Sequence, residues 1–467
     1  MRHPPSSVVA FATALALTAC VRASADDVLL QQTLVITLAG QEVGTLEALD
    51  KRTAAGITMS RIAKLQVRRG EVVNDMKTET LVKLTRDLRP ISYRYQRTDA
   101  AGTLLTEGTL KNDVLQLTTT QNGAIVKTNK AVPPHTTFGF AVEHEMRSQL
   151  IDGKQLERSI IIEELGAQVQ MTGSIKKQGA GYTLQTTFMN LTSDEEVDAA
   201  GRTLVSRTPG MGVVAYPIGR APMDVLKGQA DLMAVSTWQV QSVHPPVARV
   251  LYRLSTLDAR NFAIPEDERQ TIKERTDQWV TIEVKEGDTF TGALGLTRKA
   301  ELLAATPYEA IDDPRLKNAA AAAAKGATDK LDEIGKLVDF VHAHVATKGL
   351  DRGYAPAIAT LESRQGDCTE HSVLLSALLR TRGFPTRLVD GVVVSGTNAG
   401  YHEWVEVYVE GRGFVPADPT FGVFPAGPER LKLAVGTTSP DEFLGLSLAA
   451  SRLLRAGVKL EVLEVSR

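Results

Sequence analysis

The stretch whose reading decides the fold is Ser363-Arg364-Gln365-Gly366-Asp367-Cys368-Thr369-Glu370-His371-Ser372-Val373-Leu374-Leu375-Ser376-Ala377-Leu378-Leu379-Arg380. It runs on through Gly383-Phe384-Pro385 into Tyr401-His402-Glu403-Trp404-Val405-Glu406-Val407-Tyr408-Val409 and Phe414-Val415-Pro416-Ala417-Asp418-Pro419-Thr420. Residues 369–382 contain no Gly or Pro and are rich in Leu, Ala, Arg and Glu, which predicts a helix. Val373, Leu374, Ala377 and Leu378 recur at the helical period and form its buried stripe. Gly383 suits the position just past the helix, and Pro385 prevents continuation. Asp367 is a natural N-cap, which puts Cys368 in the first turn. There the partial positive charge of the helix end favours a thiolate, the nucleophilic form of cysteine.

The segments after this helix read as strands. Residues 387–394 are Val-rich, as in a buried strand. In residues 402–409, His402, Trp404, Glu406 and Tyr408 share one face, and Glu403, Val405, Val407 and Val409 share the other. Glu403 and Glu406 thus lie on opposite faces and are not an acid/base pair; both are expected to be solvated or salt-bridged. Glu410-Gly411-Arg412-Gly413 is turn material. A three-residue loop, Glu410 to Arg412, sets Val409 opposite Gly413 and brings Asp418 onto the face of His402. A two-residue loop turns Asp418 to the wrong face. A thiol–imidazole–carboxylate triad of Cys368, His402 and Asp418 therefore requires the longer loop or a bulge.

Outward from this stretch the chain is ordinary in composition. Its 467 residues suffice for two to four domains. A net charge of −2 gives no basic surface for nucleic acid. Charged residues at 23% and hydrophobic ones at 43% describe a soluble globular protein. No run reaches the roughly 18 apolar residues of a membrane span.

Residues 1–25 read as a targeting segment. Arg2 and His3 open it, and residues 8–17 form a short apolar region. Two exits stay open: Leu17-Thr18-Ala19-Cys20 resembles a lipobox, which would anchor a lipid at Cys20, and Ala23-Ser24-Ala25 resembles a simple cleavage site. The expected location is the periplasm or a lipid anchor in the outer membrane. Cys20 is lost or acylated either way, so Cys368 is the one thiol left and no internal disulfide can form. A lone cysteine is ordinarily a buried filler, but a Gly-Asp-Cys helix start with His and Asp on later strands points to a nucleophile.

Residues 26–240 read as a β-rich domain, with short strand-like runs such as 33–38, 79–84, 92–97, 114–119 and 160–165. An antiparallel half-barrel or sandwich is expected. His135 and His144 lack metal-ligand spacing, and Asn190-Leu191-Thr192 is a glycosylation acceptor without use in a bacterial-type exported chain. Residues 241–303 form a second β-rich stretch, either a small module or an extension of the last domain. The alanine run 318–325 reads as a helix, and Thr328 or Asp329 caps the next, whose stripe is Ile334, Leu337, Val338, Val341 and Val345. His342 and His344 are two apart and cannot share a metal. No metal and no cofactor is expected.

Taken together, Gly366-Asp367-Cys368-Thr369-Glu370-His371, Gly383-Phe384-Pro385-Thr386-Arg387, His402-Glu403-Trp404-Val405-Glu406-Val407-Tyr408 and Asp418-Pro419-Thr420 resemble the bacterial transglutaminase-like superfamily, a branch of the papain-like thiol enzymes. The resemblance covers roughly residues 330–434. It implies an α+β fold overall, in which a β-rich N-terminal half precedes a papain-like catalytic domain at 304–467. It implies Cys368 as nucleophile, His402 as general base and acid, and Asp418 as the residue that orients the imidazole. Glu370 and His371 belong to the motif without an assigned task, and Gln365 is a candidate oxyanion donor beside the backbone N–H of Cys368.

The function expected on these grounds is an exported cysteine protease, amidase or acyltransferase acting on peptide or isopeptide amides through a thioester, its partner a peptide or protein substrate. A reading from another class is an envelope binding protein with a vestigial triad. The intact set of three residues favours the enzyme.

Overall fold

A computed structural model describes residues 27–467 apart from 70, 190, 221–236, 257–258, 261, 288–293, 349–353 and 454–457. The leader with Cys20, and Asn190, lie outside the described residues.

Among the described residues the N-terminal half is one sheet of fifteen strands, antiparallel except where Thr137–Phe138 lies parallel to Gln155–Ile162, and nearly all of its neighbours in space are neighbours in sequence. The chain enters at its middle with Asp27–Leu38 and meanders outward to Ala124–Ala131. It then crosses to the far flank and meanders back to Val213–Pro217, which pairs with the first strand. Alternation drives this pattern. Tyr93 and Tyr95, and Leu115 and Leu117, point inward, while the residues between them face away. The sheet curls, because residues far apart in strand order, such as Met59, Leu115 and Ile161, share one core. The helix Gly139–Ser148 fills the concave face, with Ala141 in that core and Val142 and Met146 in a second one. Of the two expected shapes the half-barrel is the nearer, since there is a single curled sheet and no opposed pair.

The next strands belong structurally with the C-terminal half. Thr237–Val243 pairs with the long strand Thr386–Val409. Arg249–Ser255 lies between Trp279–Lys285 and Lys459–Ser466. One hydrophobic core joins Val250, Tyr252 and Ile282 to Val392, Leu431 and Leu460.

The helices form on their sequence signals. Asp313 caps Pro314–Ala323, which contains most of the alanine run, and Asp329 caps Lys330–His344. Ile334, Leu337, Val338, Val341 and Val345 are all buried. They pack with Val373, Leu374 and Leu378 of the helix Cys368–Thr381 and with Val405 and Val407 of the long strand. The chain is thus α+β, strand-rich first and helix-bearing at its C-terminal end.

Gly391 makes the long strand's close approach to its neighbour workable. A Cβ there would lie 2.1 Å from the Leu431 carbonyl oxygen and 2.8 Å from the Trp404 ring. Gly391→Ala is therefore expected to cost about 1–3 kcal/mol of overpacking in urea denaturation. Unchanged stability would contradict this packing.

Candidate functional site

Cys368 is the first residue of its helix, and the cap beneath it is closed. The Asp367 carboxylate accepts from the Thr369 N–H at 3.0 Å and the Thr369 hydroxyl at 2.8 Å. Glu370 reaches back to accept from the Asp367 N–H at 2.9 Å, which completes a capping box. The other Glu370 oxygen accepts from the Ala355 N–H at 2.9 Å. A Cβ on Gly366 would lie 2.2 Å from the Glu370 Cβ, so only glycine lets this closure form. His371 is fully buried and its Nδ1 donates to the Asp367 carbonyl at 2.5 Å, so it braces the cap from inside. Residues 369–380 are all buried, whereas Cys368 is half-buried.

The hairpin has the longer of the two loops considered. Val409 faces Gly413, and the ladder continues to Val405 opposite Ala417. Asp418 comes directly after, bridging to Val423, and its carboxylate meets His402. The His402 Nε2 donates to Asp418 Oδ2 at 2.8 Å, with both side chains buried. A proton on Nε2 leaves Nδ1 as the ring's basic atom. Asp418 Oδ1 accepts from the N–H groups of Thr420 at 3.0 Å and Phe421 at 3.2 Å. Arg430 Nε donates to Oδ2 at 2.7 Å. Burial opposes the Asp418 charge, but His402 and Arg430 outweigh it and hold the carboxyl well below the usual range.

Neighbouring elements fix this pair. Phe421 meets the His402 ring edge-on at 5.3 Å, and Trp404, buried in the core, stacks beside it at 6.2 Å. His342 Nδ1 donates to the carbonyls of Pro419 at 3.2 Å and Thr420 at 3.1 Å, tying down the loop after Asp418. His344 bonds instead to the Leu361 carbonyl, so the two histidines serve different segments. The Ser372 hydroxyl, one turn below Cys368, donates to the carbonyl of Glu403 at 3.1 Å. That bond sets the helix Cys368–Thr381 against the strand one residue from His402. Tyr401, on the other side of His402, interacts electrostatically with Cys368.

Glu403 departs from expectation. Glu406 is held by Arg387 and Lys432, which overcome its burial and keep its pKa at about 2. Glu403 is equally buried but pairs with no cation among the described residues; it accepts from the Tyr354 hydroxyl and lies against Asp390. Asp390 accepts from the Tyr401 hydroxyl at 2.7 Å. Burial pushes Asp390 up to about 7. Burial, then the Asp390 charge, push Glu403 well above its ordinary value. Asp390 Oδ2 and Glu403 Oε1 have no other donor among the described residues, so one proton held between them satisfies both. Burial, and then the neighbouring Asp367 charge, raise the Glu370 carboxyl to about 8.

Arg430, Phe421, His342 and the Asp390–Glu403 pair are not visible as site residues in the sequence. Arg430 reaches the site because its strand, Arg430–Gly436, pairs with residues 388–393 of the long strand. That pairing carries no local signal.

Residues 317–419 match the transglutaminase-like superfamily, a span that includes Cys368, His402 and Asp418 and excludes Arg430. No curated protein matches the chain. Among solved structures, a proposed cysteine protease from Cytophaga hutchinsonii is similar at 16% identity over 50% of this chain and 89% of that one, with a TM-score of 0.32. A β-barrel-like protein of a domain of unknown function, DUF1849, from Brucella abortus is similar at 10% identity over 40% and 95%, with a TM-score of 0.33. The periplasmic domain of TgpA from Pseudomonas aeruginosa, bound to ethylmercury, is similar at 15% identity over 41% and 77%, with a TM-score of 0.29.

The buried acids make stability depend on pH in a definite sense. Asp390 and Glu403 bind protons more tightly folded than unfolded, so their contribution is full below about pH 4; that of Asp390 is lost as pH rises through about 7, and that of Glu403 as pH rises through its own raised pKa. Asp418 acts oppositely: its contribution is present above about pH 4 and is lost only in strong acid. Calorimetry between pH 5 and 8 should show stability falling by up to about 1.4 kcal/mol per pH unit for each proton lost. Glu403→Gln should flatten that slope; a variant with the parent's slope would refute the shared proton.

Proposed function

We propose that this protein, whose residues 317–419 match the transglutaminase-like superfamily, is an exported thiol enzyme acting on peptide or isopeptide amides through Cys368, His402 and Asp418. The observation that carries this reading is the buried hydrogen bond from His402 Nε2 to Asp418 Oδ2, 2.8 Å long, on a strand that Ser372 ties to the helix whose capped tip carries the half-buried thiol. A structural cysteine needs neither an oriented imidazole nor a buried anion behind it.

The chemistry follows from the roles. His402 Nδ1 takes the Cys368 proton, and Asp418 holds the tautomer that makes this atom the base. The thiolate attacks the amide carbonyl carbon, forming an S–C bond as the carbonyl π electrons move to oxygen. The backbone N–H of Cys368 is one donor for that oxyanion, and the half-buried Gln365 is the side-chain candidate. When the C–N bond breaks, His402 returns the proton to the leaving amine and a thioester remains. Water or a second amine then attacks the thioester, with His402 again as base, and the thiol is regenerated. Phe421, 44% exposed beside His402, lies where a substrate side chain would rest. The export signal at residues 1–25, ending in cleavage or in a lipid on Cys20, would place this activity in the periplasm or at the outer membrane.

Iodoacetamide labelling of Cys368 against pH tests the reading. Labelling should already be rapid well below the free-cysteine pKa of about 8.5. His402→Ala should abolish the low-pH reaction, and Asp418→Asn should slow amide turnover by about 100-fold or more. A thiol that reacts only near pH 8.5, with or without His402, would defeat the proposal. Turnover of a peptide library with and without a primary amine distinguishes hydrolysis from transfer.

A further inference from the structure

One oxygen carries the charge balance of the site. Asp418 Oδ2 accepts from His402 Nε2 at 2.8 Å and from Arg430 Nε at 2.7 Å. The Arg430 side chain is 4% exposed, and its Nη1 is held by Glu429. Its guanidinium lies 5.7 Å from the Phe421 ring, and Phe421 also meets His402 edge-on, so one aromatic covers both donors. The other charged groups nearby are otherwise engaged. Glu406 pairs with Lys432 and Arg387, and Arg269 bonds to the carbonyls of Lys285 and Ala426. Lys432 also reaches Asp267, and His342 is committed to the 419–420 carbonyls.

A buried carboxylate in direct contact with an imidazole stabilises the imidazolium strongly. A ring that holds its proton too tightly is a poor acid toward the leaving amine. A cation on the same oxygen offsets that pull while keeping the oxygen in place. We propose that Arg430 is a positioning residue for His402, fixing the shared Asp418 oxygen and weakening its hold on the imidazolium so that the ring releases its proton to the leaving group. The inference rests on the thiol-enzyme reading and assigns a task to a residue outside the matched segment.

Iodoacetate is the probe. As an anion it alkylates a thiolate faster beside an imidazolium, so its rate falls on the alkaline side when His402 loses its proton. Arg430→Gln combined with Glu429→Gln removes the cation without stranding a buried carboxylate. The alkaline limb should move up by about one pH unit, the least expected of a lost contact charge. Glu429→Gln alone frees Arg430 to act more fully on Asp418 and should move the limb down, by about half a unit. Arg430→Lys should bring the limb back toward the parent position. A purely structural role would lower the melting temperature and leave the limb where it is, which overturns the inference. If the double variant does not fold, Glu429→Gln decides, and an unmoved or upward limb overturns it. A parent protein without His402-dependent alkylation at low pH would instead overturn the thiol-enzyme reading, so the two failures are distinct.

Discussion

An ionised carboxylate can be buried only where donors replace the water it gives up, and the arrangement around Asp418 is organised by that demand. Two backbone N–H groups serve one of its oxygens, and a guanidinium and an imidazole serve the other. These four donors come from three sources: a turn stapled by His342, an adjoining strand and the long strand itself. The three-residue hairpin loop sets the strand parity that puts Asp418 on the face of His402. The geometry of the site is thus a property of the folded sheet more than of any motif.

The parts legible in the sequence are those set by short-range rules. The cap at Asp367, the helix after it and the stop at Gly383 depend on residues a few positions apart, and each is readable, whereas the sequence leaves the hairpin loop open between two and three residues and only the pairing of Val409 with Gly413 decides it. So are the caps of the two preceding helices and the strand-rich character of the first half. Arg430 is not, because its place depends on pairing between residues 430–436 and 388–393. Glu403 escapes a sequence reading for a related reason. Alternation gives its strand face, but nothing local says that this face is covered by the helix Cys368–Thr381 and by Tyr354. The count of fifteen strands is equally out of reach, since sequence shows runs and turns but not whether a meander is one sheet or two.

The two halves of the chain meet in a shared core. Leu165 and Ala167 of the large sheet pack in the same cluster as Leu374 and Val405. Tyr308, Tyr354 and Phe443 form an aromatic triplet there, and Tyr354 donates from it to Glu403. Lys130 and Asp441 tie the outer strand to the helix Pro440–Leu453. The curled sheet therefore contributes to the ground on which the site is built, through residues one bond from the neighbour of His402.

The strand Arg249–Ser255 sits between partners drawn from opposite ends of the C-terminal half, and Arg249 bonds to Glu464, 215 positions later. A chain emerging N-terminus first thus has its thiol in hand long before it has the strand that closes this sheet. Such long-range closure is slow. That sheet is complete only when residues 459–466 pair with Arg249–Ser255.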